Sequence, residues 1–496
     1  VPRLRPGVMT YYRTGYAESD LVDYNTENFK SSIGFHYKTN YKNEIILNSA
    51  FGAGTTVYQG DNRFSLKDIL FFQHRLEYRK ENKFFIRAYT TNEDAGKSYD
   101  AYFTGLLLQQ ASKDDYVWST NYVGFWSLPQ SDYYNKLKAL PGFPTPPAFG
   151  DPDYDRLYAE YLAAINPFLM NNYYDTLQNY HNVARAYADE FTSVSQKAIP
   201  FFEPGTQRFD SLFNKITSSK SFTEGGSKFY DKSRLVHVQG EYKFTPKFGD
   251  VILGGNYRKY LPQSDGTIFS DTSGRKIENY EYGFYSGLEK KVLTEKLKIN
   301  LTLRADKNQN FDMLFSPAVS LVYTIDPKNV VRLSFSSAIR NPTLTDQYLY
   351  YNVGRAKLLG NITGYDSLVT IPSLRDYLSG FPDLDKLEYF NIGPVKPEKV
   401  KTFEVGYRAS LTKNLYADAN FYYSIYTDFI GYVVGADVTT STSPFGGDFL
   451  ELNDVFRIAS NSQDEVNSQG FSIGLNYYIG KFYSINGNYS WNELNK

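Results

Sequence analysis

The feature that most constrains the fold of this chain is a regular alternation of apolar and polar residues. Between 416 and 427, Ala417, Ala419, Phe421 and Ile425 alternate with polar or tyrosine side chains. The same period of two recurs at 236–244, 280–288, 297–304, 331–340, 403–411, 471–479 and 483–491. Successive side chains of a β-strand point to opposite faces of a sheet. The pattern therefore predicts many strands, each with one apolar and one polar face.

A soluble β-sandwich and a membrane-spanning β-barrel both produce this alternation. The apolar face here persists over about nine to eleven residues, the length that a tilted membrane strand needs. The opposite face carries Arg, Lys, Glu and Asn at consecutive positions, which suits a wet interior. The mean hydropathy of -0.46 and the 17% aromatic content also fit such a barrel, because only one face of each strand of a membrane barrel meets lipid and aromatic girdles flank that face. We predict an all-β fold, a large antiparallel transmembrane β-barrel.

The connections between the predicted strands alternate between short and long. Short turns are expected at Thr39 to Asn43, Glu81 to Lys83, Thr245 to Gly249, Leu293 to Lys296, Asp326 to Asn329, Thr412 to Leu415 and Gly480 to Lys481. Longer connections are expected at 57–65, 94–234, 261–278, 307–313, 340–400 and 428–465. Outer-membrane barrels have short periplasmic turns and long extracellular loops. The prediction is about fourteen strands with the long loops outside the cell.

The connection at 94–234 is too long to lack structure of its own. An apolar stripe with helical spacing runs through 173–191, and 155–166 is also helix-like, with an expected end at Pro167. The proline-rich segment 141–147 predicts a stiff, extended turn. We expect a partly helical insertion that caps the barrel, and its tyrosine-rich surface is a second candidate for binding a ligand or partner.

The sequence offers little to catalysis or metal binding. It has 4 His, no Cys and a net charge of -1, so neither a metal-ligand cluster nor a nucleic-acid surface is indicated. Asp151, Asp153 and Asp155 have the spacing of the first calcium ligands of an EF-hand, but Arg156 and Leu162 break the pattern. Four carboxylates on the predicted interior face are expected to pair with cations, namely Glu241, Glu281, Glu289 and Glu404. We expect no enzyme activity, no catalytic residues, no metal and no cofactor.

Two segments resemble the barrel of TonB-dependent receptors. Val331 to Leu344, VRLSFSSAIRNPTL, is similar to the family's strand ending "sxFRxPTl", with Ile339 in place of the usual Phe. Val395 to Tyr407, VKPEKVKTFEVGY, resembles the family's "lkPEkxxxyElGyk" segment and follows in the family's order. Two further stretches, Arg3 to Tyr24 and Tyr348 to Gly360, resemble receptors of Bacteroidetes-type bacteria.

The resemblance implies a bacterial outer-membrane receptor that actively takes up a scarce extracellular ligand. It implies an N-terminal plug domain and coupling to TonB–ExbB–ExbD, with the lipid bilayer as the other partner. A barrel of this breadth has about 22 strands around a plugged lumen. Residues 1–496 are therefore expected to be the barrel portion of a longer protein, with the plug and the last strands outside this chain and 94–234 as an extracellular insertion.

Ligand contacts are expected on the extracellular side of the predicted barrel. The candidates are Arg340, Asn341, Tyr348, Tyr350, Tyr351 and Arg355. Their aromatic and cationic character suits glycans, peptides or ferric chelates equally, and the same side chains could instead order their loop. Two alternatives to transport stay open: an accessory or structural barrel within an envelope complex, and a partnership with a surface lipoprotein that covers the barrel.

Overall fold

The chain, in a computed structural model that describes residues 5–8, 11–379, 383–442 and 448–495, consists mainly of β-strands. The strands are β1 (Glu27–Lys38), β2 (Asn43–Gln59), β3 (Arg63–Lys80), β4 (Phe84–Asp94), β5 (Tyr99–Asp100), β6 (Arg234–Phe244), β7 (Asp250–Leu261), β8 (Asn279–Val292), β9 (Leu297–Asn308), β10 (Phe311–Asp326), β11 (Asn329–Arg340), β12 (Tyr350–Asn352), β13 (Lys357–Leu359), β14 (Tyr365–Thr370), β15 (Tyr389–Ile392), β16 (Glu398–Ser410), β17 (Leu415–Thr427), β18 (Ile430–Thr442), β19 (Asp448–Asn461), β20 (Val466–Ile479) and β21 (Tyr483–Asn495). The helices are α1 (Glu18–Leu21), α2 (Ala101–Ser112), α3 (Asp115–Phe125), α4 (Tyr133–Lys138), α5 (Tyr154–Asn172), α6 (Tyr174–Glu190), α7 (Gln207–Ser218), α8 (Leu344–Tyr348) and α9 (Ile371–Ser379), with a 3-10 turn at Leu384–Lys386. In the described ranges, no helix combines the length and the apolar character needed to cross a membrane.

One large antiparallel sheet dominates the molecule. Fourteen strands follow one another in the order β1-β2-β3-β4-β6-β7-β8-β9-β10-β11-β16-β17-β20-β21, and the short β5 pairs with β3. All eight segments with period-two alternation lie in this path. The predicted all-β class, the large antiparallel sheet and the number of about fourteen strands are therefore confirmed for the described part of the chain.

The two faces of the large sheet differ sharply in polarity. In the pairing of β11 with β16, Leu333 lies opposite Val405 on one face, and Ser334 lies opposite Glu404 on the other. Leu333 is 48% exposed to solvent, so this apolar face is not covered by other parts of the described chain. A slip of one residue would exchange the two faces, and the alternation therefore fixes the register. The faces are called the apolar face and the polar face below.

Short connections occupy one edge of the large sheet at all seven predicted positions. For two connections, the prediction of a long loop is wrong. The connection at 57–65 shrinks to 60–62 because β2 and β3 stay paired up to Gln59 and Arg63, and that at 307–313 shrinks to 309–310. Backbone pairing continues there after the side-chain alternation has faded, because paired N–H and C=O groups need no apolar face. Short and long connections therefore do not alternate strictly.

Helices α2 to α7 lie in the long connection between β4 and β6, and together they form the region called the cap. Its main core consists of Trp118, Tyr122, Phe125, Trp126, Tyr133, Leu137, Ile165, Leu169, Leu177, Ala184 and Ala188. The helix predicted at 173–191 is present as α6, and its buried stripe includes Leu177, His181 and Ala184. Val8 and Tyr11 pack against this core, and Tyr11 stacks on Tyr122 with ring centroids 4.5 Å apart.

The prediction that the first cap helix stops at Pro167 is wrong. Helix α5 continues through Pro167 to Asn172. A proline inside a helix removes one backbone hydrogen bond and costs about 3 kcal/mol. Ile165 and Leu169, on either side of the proline, are both almost fully buried in the cap core. Their packing offsets the local cost and keeps the helix continuous.

A second sheet is built from two connections that the sequence pattern treated as loops. Its strand order is β12-β13-β19-β18-β14-β15, with segments from the connections at 340–400 and 428–465. Strand β13 pairs with β19 in parallel, so that Leu358 lies opposite Arg457. Leu359, Leu368, Ile392 and Ile458 form one of its buried clusters. The partners are about a hundred residues apart, which local periodicity does not reveal.

Candidate ligand-facing site

The carboxylates of the polar face have polar partners on neighbouring strands. Glu281 forms an ion pair with Arg258 at 2.9 Å, and Glu289 forms one with Lys298 at 2.8 Å. Tyr285 donates a hydrogen bond to Glu241. Glu404 accepts one from the Ser334 hydroxyl at 3.3 Å. The predicted pairing with cations is therefore seen for two of the four carboxylates, and the other two have hydroxyl partners.

Two further carboxylates of the large sheet, Asp418 and Glu77, each bind two arginines. Asp418 binds Arg332 at 2.6 Å and Arg408 at 2.7 Å. Glu77 accepts hydrogen bonds from Arg75 and Arg87, and its side chain is almost fully buried. A carboxylate with two guanidinium partners stays ionised and is held in place. These networks stabilise the wall and position charge, and none of them pairs a nucleophile with a base.

At the end of β11, Arg340 and Asn341 reach the neighbouring strands. Arg340 donates through Nε to Glu398, whose other carboxylate oxygen accepts from the backbone N–H of Ile430 at 2.7 Å. Asn341 donates to Glu281 at 3.0 Å. Arg340 remains 58% exposed along its side chain. Both residues therefore tie the loop after β11 to the sheet, while Arg340 keeps an accessible surface.

Helix α8 begins the loop after β11, and the Thr343 hydroxyl caps it by accepting from the Asp346 N–H. Its last residue, Tyr348, accepts a hydrogen bond from the Asn310 side chain at 2.6 Å. Asn310 donates to Gln347 as well. Tyr348 is therefore engaged with the turn between β9 and β10.

Tyr351 is hydrogen-bonded to Asp100, the residue directly before α2, the first helix of the cap. Its hydroxyl donates to the Asp100 carboxylate at 2.6 Å, and Asn62 donates to the same oxygen at 2.7 Å. Asp100 also caps α2 by accepting from the Phe103 N–H. Burial raises the pKa of Asp100, although the hydrogen bonds from Asn62 and Tyr351 lower it. Three connections thus converge on one buried carboxylate.

The remaining two candidates are more open. Tyr350 is 41% exposed, and Arg355 is exposed at the turn between β12 and β13. The structure thus gives Asn341, Tyr348 and Tyr351 intramolecular partners, whereas Arg340, Tyr350 and Arg355 present accessible side chains. Sequence reasoning missed Asp100 and Glu398. Asp100 carries a local sequence signal, since an Asp directly before an apolar helical segment is a helix cap, and Glu398 lies within the second family-like motif.

No group of three His, Asp or Glu side chains within the described ranges is arranged to hold a metal ion. Asp153 precedes α5 and pairs with Arg156 at 3.1 Å, and Asp151 accepts from the Asp153 N–H. These acidic residues therefore begin a helix.

Comparisons with known proteins agree with the architecture. The family model described as "TonB dependent receptor-like, beta-barrel" matches residues 116–496. The siderophore receptor PirA from Pseudomonas aeruginosa superposes with a TM-score of 0.51 at 10% identity, covering 95% of this chain and 57% of that chain. A ferric enterobactin receptor mutant (PfeA) from the same organism, in complex with enterobactin, gives 0.51 at 11% identity, covering 93% and 51%. No curated protein matches the sequence.

At these identities the superpositions show a shared fold alone. The chain spans little more than half the length of either receptor.

Proposed function

The chain belongs to the TonB-dependent receptor family, as part of its β-barrel, and from that premise we propose that it forms the wall of an outer-membrane receptor. The receptor takes up a scarce extracellular ligand with energy coupled through TonB–ExbB–ExbD. The proposal assigns the protein to transport and not to catalysis. The bilayer surrounds the wall, and the cap and the second sheet face the outside of the cell.

The observation that carries this proposal is the contrast between the two faces of the large sheet. The apolar face exposes a broad band of large side chains, among them Ile33, Phe284, Phe315, Leu333 and Phe421. A contiguous exposed surface of this kind needs a cover. The polar face carries paired charges along the same strands, which suits a hydrated interior. Lipid on one side and water on the other satisfy both faces.

Finer features of the proposal come from the family resemblance of the sequence motifs. The closed barrel has about 22 strands around a plug domain, residues 1–496 supply the barrel portion, and 94–234 is an extracellular insertion. The receptor is of the Bacteroidetes type. A surface lipoprotein that covers the mouth is a further partner to be tested.

Ligand contacts are proposed at the six residues around the start of the loop after β11. Arg340, Tyr350 and Arg355 offer accessible cationic and aromatic groups. Asn341, Tyr348 and Tyr351 hold that loop in place through the hydrogen bonds described above. Contact residues and supporting residues are therefore interspersed within one short segment.

Growth of a deletion strain under separate limitation for iron, cobalamin, peptide and glycan tests this function. We expect a growth defect under one limitation that the intact gene restores. Complementation with the double variant Tyr350→Ala/Arg355→Ala should restore growth poorly, since both open side chains are lost. Lys328→Ala, in a short turn at the opposite edge, is the matched control and should restore growth fully. Normal growth of the deletion strain under all four limitations would contradict uptake and favour an accessory barrel.

A further inference from the structure

The cap contains an open cleft that is separate from the polar face of the large sheet. It has a volume of about 810 Å³ and lies between Arg5 and Tyr11 on one side and α3 and α4 on the other. Binding sites for small molecules commonly occupy about 300–1,000 Å³. The cleft is therefore large enough for a ligand of the size of one to three sugar rings.

Two aromatic residues that line the cleft, Tyr11 and Tyr134, pack against the buried aromatic core of the cap. Tyr11 stacks on Tyr122, and Trp118 stacks on Tyr122 with ring centroids 5.2 Å apart. The ring centroids of Trp126 and Tyr134 lie 5.9 Å apart, and Tyr134 lines the cleft. Tyr122 and Trp126 are fully buried. Stacked, buried rings lose little further freedom when a ligand binds, so the site is largely preformed.

Two cations line the cleft without a counter-ion. The side chains of Arg5 and Lys138 have no ion pair or hydrogen bond with any residue that the structure describes. The acid of the cleft, Asp132, instead accepts a hydrogen bond from Asn135 at 2.8 Å. The lining, with two cations and one carboxylate, therefore has a net positive charge, and neither cation forms an ion pair with a described residue.

An unused hydrogen-bonding group lies beside these cations. The Tyr134 hydroxyl is buried and has no hydrogen-bond partner among the described residues. A buried polar group without a partner costs about 1–3 kcal/mol, and Tyr134 lines the cleft, so a ligand group that reaches this hydroxyl would relieve that cost. Burial raises the pKa of Tyr134, although nearby Arg5 lowers it. The hydroxyl therefore stays protonated at neutral pH and can donate.

The rest of the lining suits a ligand with hydroxyl groups better than a purely apolar ligand. Ser119 and Thr120 line the α3 side, and Ser119 donates its own proton to the Tyr116 carbonyl at 3.1 Å. Its oxygen remains able to accept a hydrogen bond from a ligand. The Tyr11 and Tyr134 rings provide apolar surface for C–H groups.

We propose that this cleft binds a polyhydroxylated organic anion, a sugar-sized molecule with a carboxylate or a phosphate. Arg5 and Lys138 face the anionic group, and Tyr134 donates a hydrogen bond to the ligand. The site is distinct from the loop after β11, and its occupancy does not depend on transport.

Calorimetric titration of the purified protein in detergent tests the proposal with three probes. These are trigalacturonate, its uncharged methyl ester and glucose 6-phosphate, which separate carboxylate from phosphate and charge from sugar body. We expect at least one of the two anions to bind and the ester to bind about tenfold more weakly, the effect of one lost charged hydrogen bond. Binding should also change the fluorescence of Trp118 and Trp126.

Three variants locate the site. Arg5→Gln and Lys138→Gln should each weaken anion binding about tenfold, and Tyr134→Phe should weaken it severalfold. Lys136→Gln is the matched control, because Lys136 lies on the same helix over the Tyr133 ring and does not line the cleft. Unchanged unfolding midpoints show that the variants fold. Binding of neither anion, equal binding of the ester, or an equal loss with Lys136→Gln would overturn the proposal.

Discussion

At the scale of single residues, Asp100 joins more of the structure than any other side chain described above. It caps α2 and accepts hydrogen bonds from Asn62 and Tyr351, so it links the cap, the β2–β3 hairpin and the loop after β11. Its position on β5 brings these partners together only in the folded protein. An Asp before a helix is predictable from sequence, but its two distant partners are not.

Replacing Asp100 with Ala should destabilise the cap by about 2–4 kcal/mol. The change removes a helix cap, worth about 1 kcal/mol, and leaves two buried donors unpaired at about 1–3 kcal/mol each, partly relieved by water. Hydrogen exchange of the α2 and α7 amides should speed up accordingly. Tyr351→Phe removes one of the three hydrogen bonds and should show a smaller effect. Equal exchange in both variants and the parent would refute this role.

The buried His181 predicts a pH dependence of cap stability. Burial and the nearby Arg185 lower the pKa of His181. Below the ordinary value of about 6.5, the unfolded state therefore binds more protons than the folded state, and stability falls as the pH falls. The unfolding midpoint, followed by tryptophan fluorescence, should decrease between about pH 7 and pH 5.5. His181→Gln should show a shallower decrease, and an identical slope would contradict the prediction.

At the scale of elements, the strands of the large sheet were predictable from the alternation of apolar and polar side chains along each strand. Residues 331–340 alternate over most of β11, and the structure pairs them as that alternation requires. The second sheet was not predictable in this way. Its strands β13 and β19 are brought together by tertiary contacts, and β13 has only three residues, Lys357–Leu359. A strand this short has no measurable period.

Helix α5 also shows that tertiary packing can override a prediction made from local sequence. Local propensity ends it at Pro167, whereas packing of Ile165 and Leu169 carries it onward. Pro167 itself is exposed. Pro167→Ala should therefore stabilise the cap by about 2 kcal/mol, from a gain of about 3 kcal/mol in the helix less up to about 1 kcal/mol for a more flexible unfolded chain. A higher unfolding midpoint of the cap is the expected measurement, and a lower one would show that the proline supports the fold.

At the scale of the whole molecule, the proposed membrane insertion predicts that the two faces of the sheet differ in their tolerance of charge. Leu333→Arg on the apolar face should cost about 2–4 kcal/mol if it lies near the middle of the bilayer. Ser334→Arg, on the next residue and the polar face, lies beside Glu404 and should cost little. Denaturant titration of the protein folded into vesicles measures both. Equal costs would show that the sheet is not a membrane wall.

The parallel pairing of β13 with β19 has a consequence for how such a gene can change. The second sheet takes some strands from the connection after β11 and others from the connection after β17. A recombination event that replaced only one of these gene segments would deliver half of a sheet, with its ladder hydrogen bonds and the cluster around Ile458 left open. The two segments are therefore expected to be inherited and exchanged together, although the thirty codons of β16, β17 and the turn between them separate the two segments.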